Sequence, residues 1–426
     1  MKIHVQPGRL SGTLSIPGSK SHTIRGLILG MLAEGESRLR SPLVSNDTMS
    51  CLRACEALGA EVRSQPDDLW CVHGTGGRPR PPEAPIDVGN SGTTLYLGLT
   101  AAALAEGETR FTGDEQIQRR SAGPLLQALR QLGARASSEA GNDCPPLAVH
   151  GPLHGGHVEI ECPTSQYLSS LLIGCPLAEE DTTIDVPLLN EKPYVSMTLQ
   201  WLDELGVRYE ADEEYSHFEV PGGQSYPAFT REIPGDFSSA TFFLVAAAVT
   251  GSRLTLTRLD MEDVQGDKAV VGMLEEMGCL VSNDANSVTI EGPDRLQGVT
   301  LDLNATPDAL PAMAVAGAVA DGTTRLVNVP QAREKETDRI AVMAAELSKM
   351  GAQMEEMPDG LVIHGGRLHG AVLDGHGDHR VVMALAVAGL VAGGGTTIGG
   401  AESVAVTFPE FCRLLRHAGG DVCVEE

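Results

Sequence analysis

An internal repeat constrains this chain more than any other feature, because self-similarity at a fixed step sets the number and kind of folding units. A Leu/Met-Gly-small signal recurs as Leu58-Gly59-Ala60, Leu132-Gly133-Ala134, Leu205-Gly206-Val207, Met277-Gly278-Cys279 and Met350-Gly351-Ala352. Ala418-Gly419-Gly420 is a weaker sixth copy. The central glycines are 74, 73, 72, 73 and 68 residues apart. A second signal, of the form Ala-x-Gly-x-Thr, keeps the same step through Gly35, Gly107, Gly251, Gly322 and Gly395, with Glu180 where the third glycine is due. Two signals in one register are not chance.

Each copy reads alike. A polar turn opens an apolar helix, such as TIRGLILGMLA or SATFFLVAAAV, and a Gly-x-Thr turn ends it. An extended segment follows, then a second helix with apolar residues at three and four spacing, as in MSCLRACEALG. A glycine caps that helix and a short strand leaves it. The pattern predicts an α/β fold of two domains, each built of three repeated βαβαββ-type units. The boundary falls in YPAFTREIPG, residues 226–235, giving an N-terminal domain of residues 18–228 and a C-terminal domain of 1–17 plus 229–426. Residues 1–16 supply the opening strand of the first copy while belonging with the C-terminal half, so the chain crosses between domains twice.

Composition narrows what such a scaffold serves. Aromatic residues make up only 4% of the chain, so Leu, Val and Ala fill the core. The net charge of −26 argues against nucleic acid and acidic membranes as partners. Any anion site must therefore be built from local groups. Nine cysteines without a C-x-x-C pair read as reduced thiols of a cytoplasmic protein. MKIHVQPGRL has no apolar signal core, and no run approaches the ~20 apolar residues of a membrane span. His364, His369, His376 and His379 lack metal-ligand spacing, and no Walker loop, dinucleotide fingerprint or nucleophile elbow occurs. The expectation is a soluble, monomeric enzyme without metal or cofactor.

The starts of the six first helices carry the chemistry. They are Ser19-Lys20-Ser21, Gly89-Asn90-Ser91-Gly92, Thr164-Ser165-Gln166, Gly235-Asp236-Phe237-Ser238, Pro307-Asp308 and Gly377-Asp378-His379-Arg380. Ser, Thr, Asp and Asn cap helices whatever they bind. Capping does not explain why Lys20, Arg25, His379 and Arg380 lie there, since positive charge favours helix C-termini unless an anion is held at the N-terminus. Arg333-Glu334-Lys335-Glu336-Thr337-Asp338-Arg339 is a second charged cluster, and on a helix Lys335 and Arg339 share a face. A solvated, salt-bridged surface would look the same.

These residues resemble the enolpyruvyl transferases, and the likeness runs from Pro17-Gly18-Ser19-Lys20-Ser21 to Thr407-Phe408-Pro409. Lys335-Glu336-Thr337-Asp338-Arg339 and Asp378-His379-Arg380 are its most specific motifs. The resemblance implies an inside-out α/β barrel in each domain. It also implies transfer of the carboxyvinyl group of phosphoenolpyruvate to the 5-hydroxyl of shikimate 3-phosphate, on the route to aromatic amino acids. Lys20 would reach the phosphoenolpyruvate phosphate and help proton transfer. Ser21 and Arg25 would hold the shikimate carboxylate. Asn90, Gly92 and Arg120 would lie against phosphoenolpyruvate, and Thr164 and Ser165 around the 3-phosphate. Gln166 and Tyr194 would line the ring. Asp308 would be the general base and Glu336 the acid. Arg339 and Arg380 would clamp the phosphoenolpyruvate carboxylate beside His379, with Gln331 and Lys335 also contacting substrate.

Three positions depart from the family pattern. Tyr96 replaces an arginine, Val406 a lysine that reaches phosphate, and Glu191 a serine at the 3-phosphate. Gln331 replaces an asparagine. Each of the three weakens phosphate binding and none touches the acid–base pair. A transferase compensated by Lys192 or Arg119 fits this pattern. So does a lyase or transferase on the same scaffold whose carboxylated ring lacks the 3-phosphate, and so does a non-catalytic anion-binding relative. The ligands named above come from both halves of the sequence, so substrates are expected to draw the domains together. Small-angle scattering at saturating substrate then records a smaller radius of gyration. An unchanged radius with confirmed binding contradicts closure.

Overall fold

Six helices here are apolar on nearly every side, and such helices are stable only when surrounded. They are Lys20–Leu32, Gly92–Ala103, Ser165–Gly174, Phe237–Thr250, Leu310–Val319 and His379–Gly389. Almost every residue in them is buried. The computed structural model, which describes residues 1–66 and 68–425, groups them three and three. One unit is Gly18–Ile233 and the other is Met1–Pro17 with Pro234–Glu426. In the first, the Gly92–Ala103 helix packs against both of its fellows; in the second, the three helices pack pairwise.

Around each core stand three four-stranded sheets of one topology. In the second repeat, Ile86–Asp87 runs parallel to Glu108–Thr112. Leu147–His150 pairs antiparallel with Glu108–Thr112 and then with Arg135–Ser138. The buried helix makes the crossover that a parallel pair requires. The second helices are amphipathic, as their sequence spacing predicts; Gly123–Gln131 buries Leu125, Leu126, Ala128 and Leu129. The repeat glycines follow these helices at positive φ, from 71° at Gly206 to 104° at Gly59, and the weak sixth copy conforms at Gly419 with 97°. A side chain is strained in that left-handed turn, which is why the glycine marks the repeat.

The opening strands differ from the sequence expectation. Ser11–Ser15 precedes the first buried helix in the chain, yet it pairs parallel with Arg253–Thr257 of the fourth repeat. Thr230–Glu232 precedes the fourth buried helix and pairs parallel with Glu36–Arg40 of the first. Lys2–Val5 lies between Thr396–Gly399 and Val422–Glu425 and completes the sixth repeat. The two halves thus exchange opening strands, which no local pattern records. The expected boundary at residues 228/229 moves to 233/234 for the same reason. Residues 229–233 join the N-terminal unit through that pairing and through Trp201. Phe229 meets the Trp201 ring edge-on at 5.4 Å, and the Arg231 guanidinium lies 3.8 Å over it. Trp201 Nε1 donates to His22 Nδ1 at 3.0 Å, tying this segment to the first buried helix. Among the described residues, no helix is long and apolar enough to cross a membrane.

Trp201 is 1% exposed and joins three elements, so its truncation leaves a large cavity. Trp201→Ala is expected to destabilise the N-terminal unit by about 3–5 kcal/mol. Urea unfolding followed by circular dichroism should show an early transition that the wild type lacks.

Candidate active site

In the Gly18–Ile233 unit, caps and cations meet at the helix starts. Ser19 caps Lys20–Leu32 by accepting from the backbone N–H of His22. Lys20 Nζ reaches Asp47 Oδ2 at 3.1 Å, with the lysine side chain 14% exposed. Asp47 begins the next helix, inside a capping box made by Ser45 and Thr48. Ser21 stays half-buried. Arg25, one turn on, is buried. Its Nε donates to Thr198 Oγ at 2.9 Å and its Nη2 to the Tyr194 carbonyl at 2.8 Å. Ser169 and the Ser21 carbonyl accept from the rest of the fork. Burial lowers the Arg25 pKa to about 10, so it remains a cation at neutral pH. Here Arg25 ties the first turn of the helix Lys192–Glu204 to its own helix; any role on a carboxylate shares these contacts.

The second helix start is arranged around Arg120. A Cβ at Gly92 would lie 2.7 Å from Arg120 Nη1, so the glycine lets the guanidinium rest on the end of the Gly92–Ala103 helix. Tyr96, in the position of the expected arginine, supplies structure in place of charge. Its hydroxyl donates to the Ser121 carbonyl at 2.9 Å, and that of Tyr167 donates to the same oxygen at 2.6 Å. The rings meet edge-on at 5.1 Å and hold the residue next to Arg120. Asn90 Nδ2 donates to Asp114 and Gln116, closing the loop on the other side.

At the third start the structure adds what sequence reasoning missed. Glu191 Oε2 accepts from Thr164 Oγ at 3.2 Å, from the Ser165 N–H at 3.2 Å and from Ser165 Oγ at 2.9 Å. Glu191 is 2% exposed. Gln166 follows, with a buried Oε1. Neither suggested compensating cation lies there. Lys192 pairs with Glu214 at 2.6 Å and Arg119 with Glu115 at 3.6 Å, both at the surface.

In the other unit a single guanidinium organises the site. Arg339 is fully buried. Its Nε donates to Asp378 Oδ2 at 2.8 Å, Nη1 to Asp308 Oδ1 at 2.7 Å and Nη2 to Glu336 Oε2 at 2.5 Å. Desolvation opposes its charge, but the Asp378, Glu336 and Asp308 carboxylates outweigh that and raise its pKa above the usual arginine value. The expected helix through 335–339 is absent. A 3-10 turn over Pro330–Glu334 ends at Lys335, and Asp338 caps the helix Arg339–Lys349. That break turns Glu336 back onto Arg339.

Asp308 also lies 2.8 Å from Arg380 Nη2. Arg380 donates further to Ser238 Oγ at 2.8 Å and to His379 Nε2 at 2.5 Å. Gln331 Nε2 donates to the Asn304 carbonyl at 2.9 Å. Val406 ends a 3-10 turn, Ala401–Val406, two residues before Phe408, whose ring packs 5.9 Å from Phe243 and from Phe411. This unit thus brings Asp308, Glu336, Arg339, His379 and Arg380 together. Asp378 stands in a family motif and Asp47 in the first turn of a helix, but nothing local pairs them with Arg339 and Lys20, which lie 39 and 27 residues away. Among the described residues, no three His, Cys, Asp or Glu side chains group as a metal site.

The family described as EPSP synthase (3-phosphoshikimate 1-carboxyvinyltransferase) matches residues 5–415. A protein named 3-phosphoshikimate 1-carboxyvinyltransferase from Acetivibrio thermocellus is 54% identical over 422 residues, covering 99% of each chain. One of the same name from Methanocella arvoryzae is 46% identical over 415 residues, covering 96% of this chain and 97% of its own. The solved structure of EPSP synthase from Acinetobacter baumannii superposes with a TM-score of 0.84 at 28% identity, over 99% of this chain and 100% of that one.

A buried cation holding three carboxylates has a distinct mutational signature. Arg339→Ala leaves those charges uncompensated and is expected to destabilise its unit by about 3–5 kcal/mol. A residue that served only to clamp substrate would leave the urea midpoint unchanged, and that result contradicts the assignment.

Proposed function

The chain belongs to the EPSP synthase family, and we propose that its residues transfer the carboxyvinyl group of phosphoenolpyruvate to the 5-hydroxyl of shikimate 3-phosphate, releasing phosphate. The observation that carries the residue roles is the fixing of Asp308 and Glu336 on separate nitrogens of Arg339. Addition of an alcohol to an enol ether needs a base at the oxygen and an acid at the carbon. One rigid fork holds two carboxylates for those tasks.

Asp308 takes the proton of the 5-hydroxyl as its oxygen bonds to C2 of phosphoenolpyruvate. Glu336, in its acid form, delivers a proton to C3, and a tetrahedral intermediate results. Loss of a methyl proton back to Glu336 restores the double bond as the C2–O bond to phosphate breaks, and the proton that Asp308 took leaves with the phosphate, which regenerates the base. Lys20 attends the departing phosphate, with Arg120 beside it. Arg380 takes the phosphoenolpyruvate carboxylate. Asn90 and Gly92 hold the phosphoenolpyruvate loop, and His379 buttresses Arg380. Arg339 positions the two carboxylates and does not itself close on substrate. Ser21 and Arg25 hold the acceptor carboxylate, Gln166 and Tyr194 its ring, and Thr164 and Ser165 its phosphate. Lys335 and Gln331 complete the acceptor contacts. The side-chain chemistry proposed needs no metal or organic cofactor. Nine free cysteines fit a protein working in the reducing cytoplasm.

Asp308→Asn and Glu336→Gln keep size but remove proton transfer. Each is expected to lower kcat by about 10²-fold or more with little change in substrate affinity. Near-normal turnover by either variant refutes its role. Val406→Lys is expected to lower the KM for phosphoenolpyruvate about tenfold by restoring a cation. An unchanged KM shows that the side chain does not reach the phosphate.

A further inference from the structure

Glu191 immediately precedes the helix Lys192–Glu204 and has a left-handed backbone, φ 59°, that a residue with a side chain rarely adopts. Its side chain does not cap that helix. It crosses instead to the helix Ser165–Gly174, where three donors converge on one of its oxygens: the Thr164 hydroxyl, the Ser165 hydroxyl and the Ser165 N–H. A helix N-terminus with two hydroxyls binds an anion, and here the chain supplies that anion itself.

We propose that Glu191 is a built-in competitor for the acceptor's phosphate and so determines how strongly this enzyme prefers a phosphorylated ring. This inference rests on the proposal that Thr164 and Ser165 receive that phosphate. The carboxylate and a phosphate dianion cannot share the same three donors, because like charges at contact repel and each donor hydrogen serves one strong acceptor at a time. The phosphorylated acceptor therefore enters by displacing Glu191, and part of its binding free energy goes into that exchange. An acceptor with a hydroxyl in place of the phosphate meets no such competition. Lys192, the next residue, turns outward to Glu214. Glu191 is thus a specificity-determining residue that acts by occupying the cradle, without entering the proton transfers.

Two variants test this. Glu191→Ser removes the competitor and adds a hydroxyl, and Glu191→Gln keeps the shape but removes the charge. Both are expected to lower the KM for shikimate 3-phosphate, about tenfold for the serine variant and less for the glutamine one, with the gain in KM rather than kcat. The ratio of kcat/KM for shikimate 3-phosphate to that for shikimate should rise with it. Calorimetric titration with inorganic phosphate needs no turnover and separates this inference from the assigned reaction. Phosphate should bind Glu191→Ser at least about tenfold more tightly than wild type. A raised or unchanged KM in both variants, together with equal phosphate affinity, overturns the proposal. Wild type that turns over only shikimate overturns the assigned acceptor instead, while the phosphate titration still decides whether Glu191 occupies an anion cradle.

Discussion

A helix that is apolar on every side must be enclosed, and six such helices set the plan of this chain. Each stands between the opening strand and the next strand of its repeat, and in four of the six it links a parallel pair directly; in the other two the opening strands are exchanged. Three of them share each core. Enclosure has an electrostatic consequence. The first N–H groups of a buried helix have no water to satisfy them, so each end needs a side-chain acceptor or an anion. Ser19, Ser91, Thr164, Asp236 and Asp378 supply acceptors. The same ends leave room for charge, and the chemistry has collected there.

The charges follow a similar logic in both units, where several cations near helix N-termini lie against carboxylates. Lys20 has Asp47, Arg380 has Asp308, and Arg339 has three acidic partners. In a protein of net charge −26 this arrangement keeps local cations without an unpaired buried charge. It also fixes geometry, because a guanidinium fork holds carboxylates in set directions. Two of the positions that depart from the family pattern have found structural partners. Tyr96 gives a hydroxyl that fastens the loop of Arg120, and Glu191 gives an anion that fills the end of a neighbouring helix. These two side chains work differently, one steadying the residue beside a cation and the other occupying helix-end donors with a carboxylate.

Much of this was legible in the sequence. The repeat count, the order of helices and strands within each copy, and the capping glycines follow from periodicity and from backbone rules that act over a few residues. The polar starts of the buried helices follow in the same way, because a cap is a local device. The motifs around Glu336 and Arg380 carried the family resemblance, and the proposed acid–base pair and clamp rest on that resemblance. Only tertiary structure decided how partners were chosen across long separations. Ser11–Ser15 and Thr230–Glu232 have interchangeable strand patterns, and which sheet each joins depends on a free edge in space. Arg339 reads as an exposed clamp until Asp378, 39 residues later, is brought against it and buries it. Glu191 reads as a neighbour of the phosphate site until the left-handed turn before its helix aims it into the cradle. Local pattern sets the elements and their ends, because those depend on neighbours along the chain. The final assignment of charges depends on neighbours in space, and that is the physical reason the sequence alone could not supply it.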